Sequence, residues 1–138
     1  MENNILDFFK EINVSITISD TDGNVVYMND KAKSVFSDMV GKNMMACHKQ
    51  SSQDTIKRLI NEKATNVYTI QKGDVKKMIY QTPWYVDGEI KGLVEYSIIL
   101  PDDMPHYVRW MLKGENWKFV ETSPLWRLKS WKVKIENL

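Results

Sequence analysis

The stretch Ile18-Ser-Asp-Thr-Asp-Gly-Asn-Val-Val-Tyr-Met-Asn29 places a polar turn between two short apolar runs. Upstream of the turn, apolar residues alternate with Ser and Thr from residue 14 to residue 19, which is the period-two pattern of a half-buried strand. Gly23 can adopt a positive φ at little steric cost, as a tight turn requires. The stretch therefore predicts a β-hairpin near the start of the chain.

Two helices are predicted after this hairpin. Asn29 or Asp30 can cap a short helix, because either side chain can accept a hydrogen bond from a backbone N–H of the first turn. A longer helix with one apolar face is expected to be capped by Ser51 or Ser52 and to run to about Lys63.

Three β-rich segments follow the longer helix, at residues 66–71, 75–86 and 89–100. A Lys-Gly-Asp turn and an Asp-Gly turn separate them, which favours an antiparallel meander. With the first hairpin, these segments predict an α+β fold in which a five-stranded antiparallel sheet carries its helices on one face.

The composition limits the classes of function. A chain of 138 residues is the length of one domain, and its net charge of +1 does not favour nucleic acid or anionic lipid as a partner. No apolar run has the roughly 20 residues that a membrane span needs. The single Cys47 is typical of a reducing compartment, and the N-terminus lacks the pattern of a secretory signal, so we expect a cytoplasmic protein.

Both hairpins resemble those of PAS sensor domains. The first matches that family in its Asp-x-x-Gly turn, which an apolar-x-Tyr-x-Asn strand follows, and "YVDGEIKGLVEYS" at residues 85–97 is similar to the Asp-Gly-x-Ile-x-Gly ending of the family. The segment "VGKNMMACHKQSSQDTIKRLI" at residues 40–60 is similar to a subgroup with a Cys-His-Pro-Pro stretch before the long helix. Here Lys49 and Gln50 replace the two prolines.

The resemblance implies a domain organisation and a class of function. The resemblance implies a PAS-like domain at 13–104. The helical spacing of Ile5, Phe8, Phe9 and Ile12 predicts an N-terminal amphipathic helix at residues 1–12, and a Trp-rich C-terminal extension at 105–138 lies outside the resemblance. PAS modules bind haem, flavin, small acids, fatty ligands or nothing, so the fold alone does not name a ligand. It implies a sensory or interaction module of bacterial signal transduction that works without catalysis.

Strand alternation and helix faces predict which residues line a pocket for a small apolar ligand. The candidates are Ile16, Ile18, Tyr27, Phe36, Met44, Met45, Ile56, Leu59, Ile60, Met78, Tyr80, Val94, Tyr96 and Ile98. The three tyrosines among them would be its polar points. The other interpretation is that these residues form an ordinary filled core, because such stripes occur in every globular domain.

Cys47 and His48 suggest a second function. A thiol beside an imidazole can hold a metal, so a haem-binding gas or redox sensor that uses His48, with Cys47 or a methionine as a further ligand, is the alternative. The other interpretation is that Met44, Met45 and Cys47 pack as hydrophobic residues. Catalysis is disfavoured, because the sequence shows no carboxylate pair, triad or phosphate loop.

The C-terminal extension holds four of the five tryptophans, Trp110, Trp117, Trp126 and Trp131. It is expected either to fold back onto the domain or to bind a partner. We also expect a homodimer, or a signalling protein that acts in trans, as the partner, with Phe8 and Phe9 of the N-terminal helix in the dimer interface.

Overall fold

A computed structural model describes residues 5–108 of the chain. One unit ends at Pro101, and a second begins at Asp102. Residues 102–108, the described part of the second unit, contain no helix or strand. The tryptophans of the predicted C-terminal extension lie outside the described residues. No helix within residues 5–108 has the length and apolar character to cross a membrane.

The described residues of the first unit contain three α-helices, one 3₁₀ helix and five strands. In chain order they are α1 (Asp7–Lys10), β1 (Ser15–Asp20), β2 (Val25–Met28), α2 (Asp30–Phe36), a 3₁₀ helix (Met44–Cys47), α3 (Gln50–Glu62), β3 (Asn66–Lys72), β4 (Val75–Val86) and β5 (Glu89–Leu100). The strands form one antiparallel sheet in the order β2-β1-β5-β4-β3. The predicted five-stranded α+β fold is confirmed.

The turn of the first hairpin is held by the side chain of Asp20. Its carboxylate accepts hydrogen bonds from the backbone N–H groups of Asp22 and Asn24 and from the Asn24 side-chain amide. Although burial acts to raise it, the pKa of Asp20 is lowered, because these donors favour the charged form. Gly23 has a φ of 87°, which explains the glycine at this position.

Asn29 joins the hairpin to its surroundings and is 0% exposed. Its Oδ1 accepts from the backbone N–H groups of Ile16 and Ala32, both at 3.0 Å. Its Nδ2 donates to the carbonyl oxygens of Phe9 at 3.1 Å and Val14 at 2.7 Å. The predicted N-cap of α2 is therefore confirmed, and the same side chain also fixes β1 and the segment before it.

Two helix starts differ from the prediction. Helix α1 spans four residues, Asp7–Lys10, so residues 5, 6, 11 and 12 of the predicted helix are not helical. Phe8 and Phe9 are exposed. The predicted Ser51 or Ser52 cap is wrong, since α3 begins at Gln50 and its N-cap residue, Lys49, makes no side-chain capping bond.

The two faces of the sheet carry different residues. Leu93 of β5 packs against Ile56 and Leu59 of α3, and this identifies the helix face. Strand register places these residues on the helix face: Ser15, Thr17, Ser19, Ile79, Gln81, Leu93, Glu95 and Ser97. The opposite side is called the outer face.

The predicted orientation of the strand residues is inverted. The residues that strand alternation assigned to the pocket lie on the outer face: Ile16, Ile18, Tyr27, Met78, Tyr80, Val94, Tyr96 and Ile98. The prediction assumed that the more apolar face meets the helices. In the structure Ile16 and Val94 are buried on the outer face, while the helix face keeps polar side chains.

A hydrogen bond from Trp84 joins β4 to β1, the two strands on either side of β5. The Trp84 indole Nε1 donates to the carbonyl oxygen of Ser19 at 2.9 Å, across Gly92 of the intervening strand. A Cβ at Gly92 would lie 2.6 Å from that indole nitrogen and would also collide with the Ser19 carbonyl oxygen. The glycine is required because the indole occupies the space of a side chain.

Replacing Asn29 with Ala is expected to lower the free energy of unfolding by about 3 kcal/mol or more, because a helix cap is lost and buried backbone groups lose their partners. Urea denaturation measures this change. Asn61→Ala is the matched control, because Asn61 is an exposed residue of α3, and it should change the value by less than about 0.5 kcal/mol. Equal effects of the two substitutions would contradict the role of Asn29.

Candidate ligand-binding cavity

A cavity of about 290 Å³ lies between the helix face of the sheet and the segment from α2 to α3. It is lined by Thr17, Ser19, Val25, Met28, Phe36, Met39, Met44, Cys47, His48, Ile56, Gln81, Leu93 and Glu95. Its volume is near the lower limit of small-molecule sites, roughly 300 Å³. The cavity can therefore hold a small molecule.

The apolar side of the cavity is built by two clusters. Val25 and Met28 of β2 pack with Ala32 of α2, and Met39 and Met44 pack against them. The second cluster is formed by Ile56 and Leu59 of α3 with Leu93 of β5, and Met44 also packs against it. The unbranched methionine side chains can adapt to ligands of different shape.

The polar side is formed by the central strands. Gln81 of β4 is buried, and its Nε2 donates to Glu95 Oε2 at 2.7 Å. Its Oε1 accepts from Asn66 Nδ2 at 2.9 Å. Because both ends of the Gln81 amide are engaged, this chain of bonds fixes the position of the Glu95 carboxylate.

Ser19 adds a hydroxyl that lacks a partner. Its Oγ is the one buried side-chain polar atom without a hydrogen-bond partner in the described part of the chain, and the residue is 1% exposed. Buried hydroxyl groups normally form hydrogen bonds, since an unpaired one costs about 1–3 kcal/mol. Ser19 lines the cavity, so a molecule bound there could satisfy this hydroxyl.

The negative charge of Glu95 also affects Tyr68. Burial raises the pKa of the Tyr68 hydroxyl above its usual range, and the Glu95 charge raises it further. Tyr68 of β3 pairs with Ile79, so it lies on the helix face of the sheet, as Glu95 does. The sheet thus presents a negative charge on the side of the cavity.

His48 and Cys47 lie where the 3₁₀ helix ends, and both line the cavity. The His48 Nδ1 lies 2.7 Å from the Met44 carbonyl oxygen. A carbonyl can only accept, so Nδ1 carries the proton and the lone pair of the neutral ring is on Nε2. Gln53 of α3 holds this segment by donating to the carbonyl oxygens of Met45 and His48.

The structure brings only part of the predicted pocket together. Phe36, Met44 and Ile56 line the cavity. Met45, Leu59 and Ile60 belong to the adjoining core between α3 and β5. The eight predicted strand residues lie on the outer face, where Tyr80 and Tyr96 make an edge-to-face contact at 6.3 Å. The predicted polar points of the pocket are therefore not at this cavity.

Sequence reasoning missed the polar side of the cavity. Thr17 and Ser19 alternate with the apolar residues of β1, and this alternation also fits a polar cavity wall. Glu95 stands between Val94 and Tyr96 in the interior of a strand, and this interruption was the available signal. Its partner Gln81 follows only from the register of β4 and β5.

Comparison with known proteins identifies the fold. No family model and no curated protein matches the chain. The PAS domain of histidine kinase ThkA matches with a TM-score of 0.53, at 14% identity, over 63% of this chain and 99% of that chain. The Aer2 receptor from Vibrio cholerae, described as a dual PAS-heme oxygen sensor, matches with a TM-score of 0.50, at 17% identity, over 64% and 96%.

A structure of VqmA bound to DPO matches with a TM-score of 0.56, at 17% identity, over 70% of this chain and 56% of that chain. At these identities the similarity shows the fold alone. The strand order, the two hairpins and these structural neighbours agree with the resemblance found in the sequence. The first unit of this chain has the PAS fold.

Proposed function

We propose that this protein is a sensory module of a signalling system that binds a small molecule in the cavity without catalysing a reaction. The observation that carries the proposal is the unpartnered Ser19 hydroxyl, buried in the wall of a cavity that also has a large apolar side. The structural neighbours support it, since they include a kinase PAS domain, an oxygen sensor and a protein bound to DPO.

Binding would act on the short elements that cover the cavity. The 3₁₀ helix is tied to the first hairpin by Asn43, whose Oδ1 accepts from Met45 N and whose Nδ2 donates to the Asp22 carbonyl oxygen. Met44 N also donates to the Gly23 carbonyl oxygen. A ligand that contacts Met44 can therefore shift the balance between states in which the 3₁₀ helix is bonded to the hairpin and states in which it is not.

Haem is the second candidate, and one observation favours it. His48 lines the cavity with its Nδ1 proton bonded to a carbonyl, an arrangement that leaves Nε2 able to bind iron. Two features oppose haem: the cavity is small, and its described lining contains Glu95 but no Lys or Arg to pair with the propionates. The first candidate therefore agrees better with the geometry.

The signalling partner is proposed to be a second copy of the chain or another protein. Phe8 is 66% exposed and Phe9 is 43% exposed on α1. Exposed aromatic residues next to each other are typical of protein interfaces. We propose that these two side chains form part of the interface.

A thermal-shift screen of small metabolites should find compounds that raise the melting temperature of the full chain, because binding to the native state stabilises it. Met39→Trp fills the cavity and should abolish the shifts. Val67→Trp is the control, since Val67 is an exposed residue of the edge strand β3. Equal shifts in both variants, or no active compound, would contradict ligand binding in the cavity.

The haem alternative predicts a Soret band after addition of hemin, and the band should disappear in His48→Ala because the iron loses its ligand. Absorption spectra of the two proteins test this. His106→Ala, the substitution of the other histidine, should keep the band. An unchanged spectrum in His48→Ala would exclude His48 as the ligand.

Replacing Phe8 and Phe9 with Ser is expected to convert a dimer into a monomer, because the interface loses apolar area. Sedimentation velocity measures the change. Val26→Ser removes an exposed apolar side chain of β2 and serves as the control. A dimer that persists in the double variant would show that α1 is not in the interface.

A further inference from the structure

Glu95 gives the cavity a charge that the described residues do not neutralise. The ion pairs within residues 5–108 join Lys33 to Asp38, Arg58 to Glu62 and Lys91 to Glu89. None of them involves Glu95. Among the described residues that line the cavity there is no Lys or Arg, and His48 is the one basic residue.

The orientation of the Glu95 carboxylate is fixed from one side only. The Gln81 amide donates to Oε2 and is itself held by Asn66. A carboxylate has about four acceptor positions, and Gln81 fills one of them. The remaining acceptor positions can serve hydrogen-bond donors of a ligand, because Glu95 is part of the cavity wall.

Two hydroxyl groups lie on the same wall. Thr17 is directly paired with Glu95 across β1 and β5, and Ser19 is paired with Leu93, one step further on the same face. Directly opposite residues have Cβ atoms about 4.5–5.5 Å apart. The carboxylate, the Thr17 hydroxyl and the unpartnered Ser19 hydroxyl are therefore acceptors on one side of the cavity.

These acceptors match the donors of a protonated primary amine. An ammonium group has three N–H donors and no acceptor, so it needs several oxygen atoms around it. A carboxylate contributes a charge-assisted hydrogen bond, which is about twice as strong as a neutral one. An anionic ligand would meet the Glu95 charge without a lysine or arginine to offset it.

We propose that the cavity binds a small organic cation, namely a primary ammonium group on an apolar body. The ammonium group bonds to Glu95, Thr17 and Ser19, and the apolar body contacts Met28, Met44 and Leu93. This inference rests on the proposed ligand-binding function and adds the class of ligand.

Three probes of similar size test the charge requirement: 2-phenylethylamine, 2-phenylethanol and phenylacetate. Dissociation constants are measured at pH 7.5 and low salt by NMR titration of the full chain. The amine is expected to bind at least about tenfold more tightly than the alcohol, because it forms a charge-assisted bond, and phenylacetate should bind most weakly. Met39→Trp should abolish the binding.

Glu95→Gln should remove the preference for the amine over the alcohol and change the affinity for the alcohol by less than about twofold. Glu89→Gln is the matched control, since Glu89 is an exposed residue of the same strand and should keep the preference. If Glu95→Gln does not fold, Glu95→Asp tests the same point, because it withdraws the charge by one methylene group and should reduce the preference.

Several outcomes would overturn the inference. Amine binding that is unchanged in Glu95→Gln, phenylacetate binding as tight as amine binding, or no binding of the amine would each do so. The proposed function is judged separately. The proposed function stands if Met39→Trp abolishes the binding of any compound from the metabolite screen. It fails if Met39→Trp leaves the binding of every such compound unchanged.

Discussion

The fold depends on one buried amide. Asn29 bonds to four backbone groups, which belong to α1, β1, α2 and the segment between α1 and β1. Three of them precede Asn29 by 13 to 20 residues, and without the amide the buried N–H groups of Ile16 and Ala32 would lose this partner. Since β1 carries Thr17 and Ser19 and α2 carries Phe36, the same amide sets where two walls of the cavity lie.

A second constraint follows from the polar helix face of the sheet. Polar side chains there are stable only if they are hydrogen-bonded, because the helices exclude water from part of this surface. Asn66, Gln81 and Glu95 meet this requirement across three adjacent strands. Ser19 does not, and it lies beside the cavity. The buried hydroxyl without a hydrogen-bond partner therefore lies at the candidate site, as expected for a functional residue.

The elements that were predicted correctly rest on local chemistry. The Asp20 to Asn24 turn, the Asn29 cap and the Asp87-Gly88 turn each act within a few residues, so the sequence shows them directly. The face of each strand is a tertiary property. Alternation on β1 shows that Ile16 and Thr17 point to opposite sides, but it does not show which side meets the helices. The polar side of the cavity was missed for this reason.

Ser19 links the cavity to the outer face of the sheet. Its side chain lines the cavity, while its carbonyl oxygen accepts the bond from the Trp84 indole, which crosses Gly92. A ligand that donates to the Ser19 hydroxyl therefore acts on a residue whose backbone is fixed by a side chain from β4. A backbone shift at Ser19 would move the acceptor of this hydrogen bond, and the Trp84 indole that lies over Gly92 would have to follow or lose the bond. The contact gives the proposed sensor a short physical route from its cavity to the outer face.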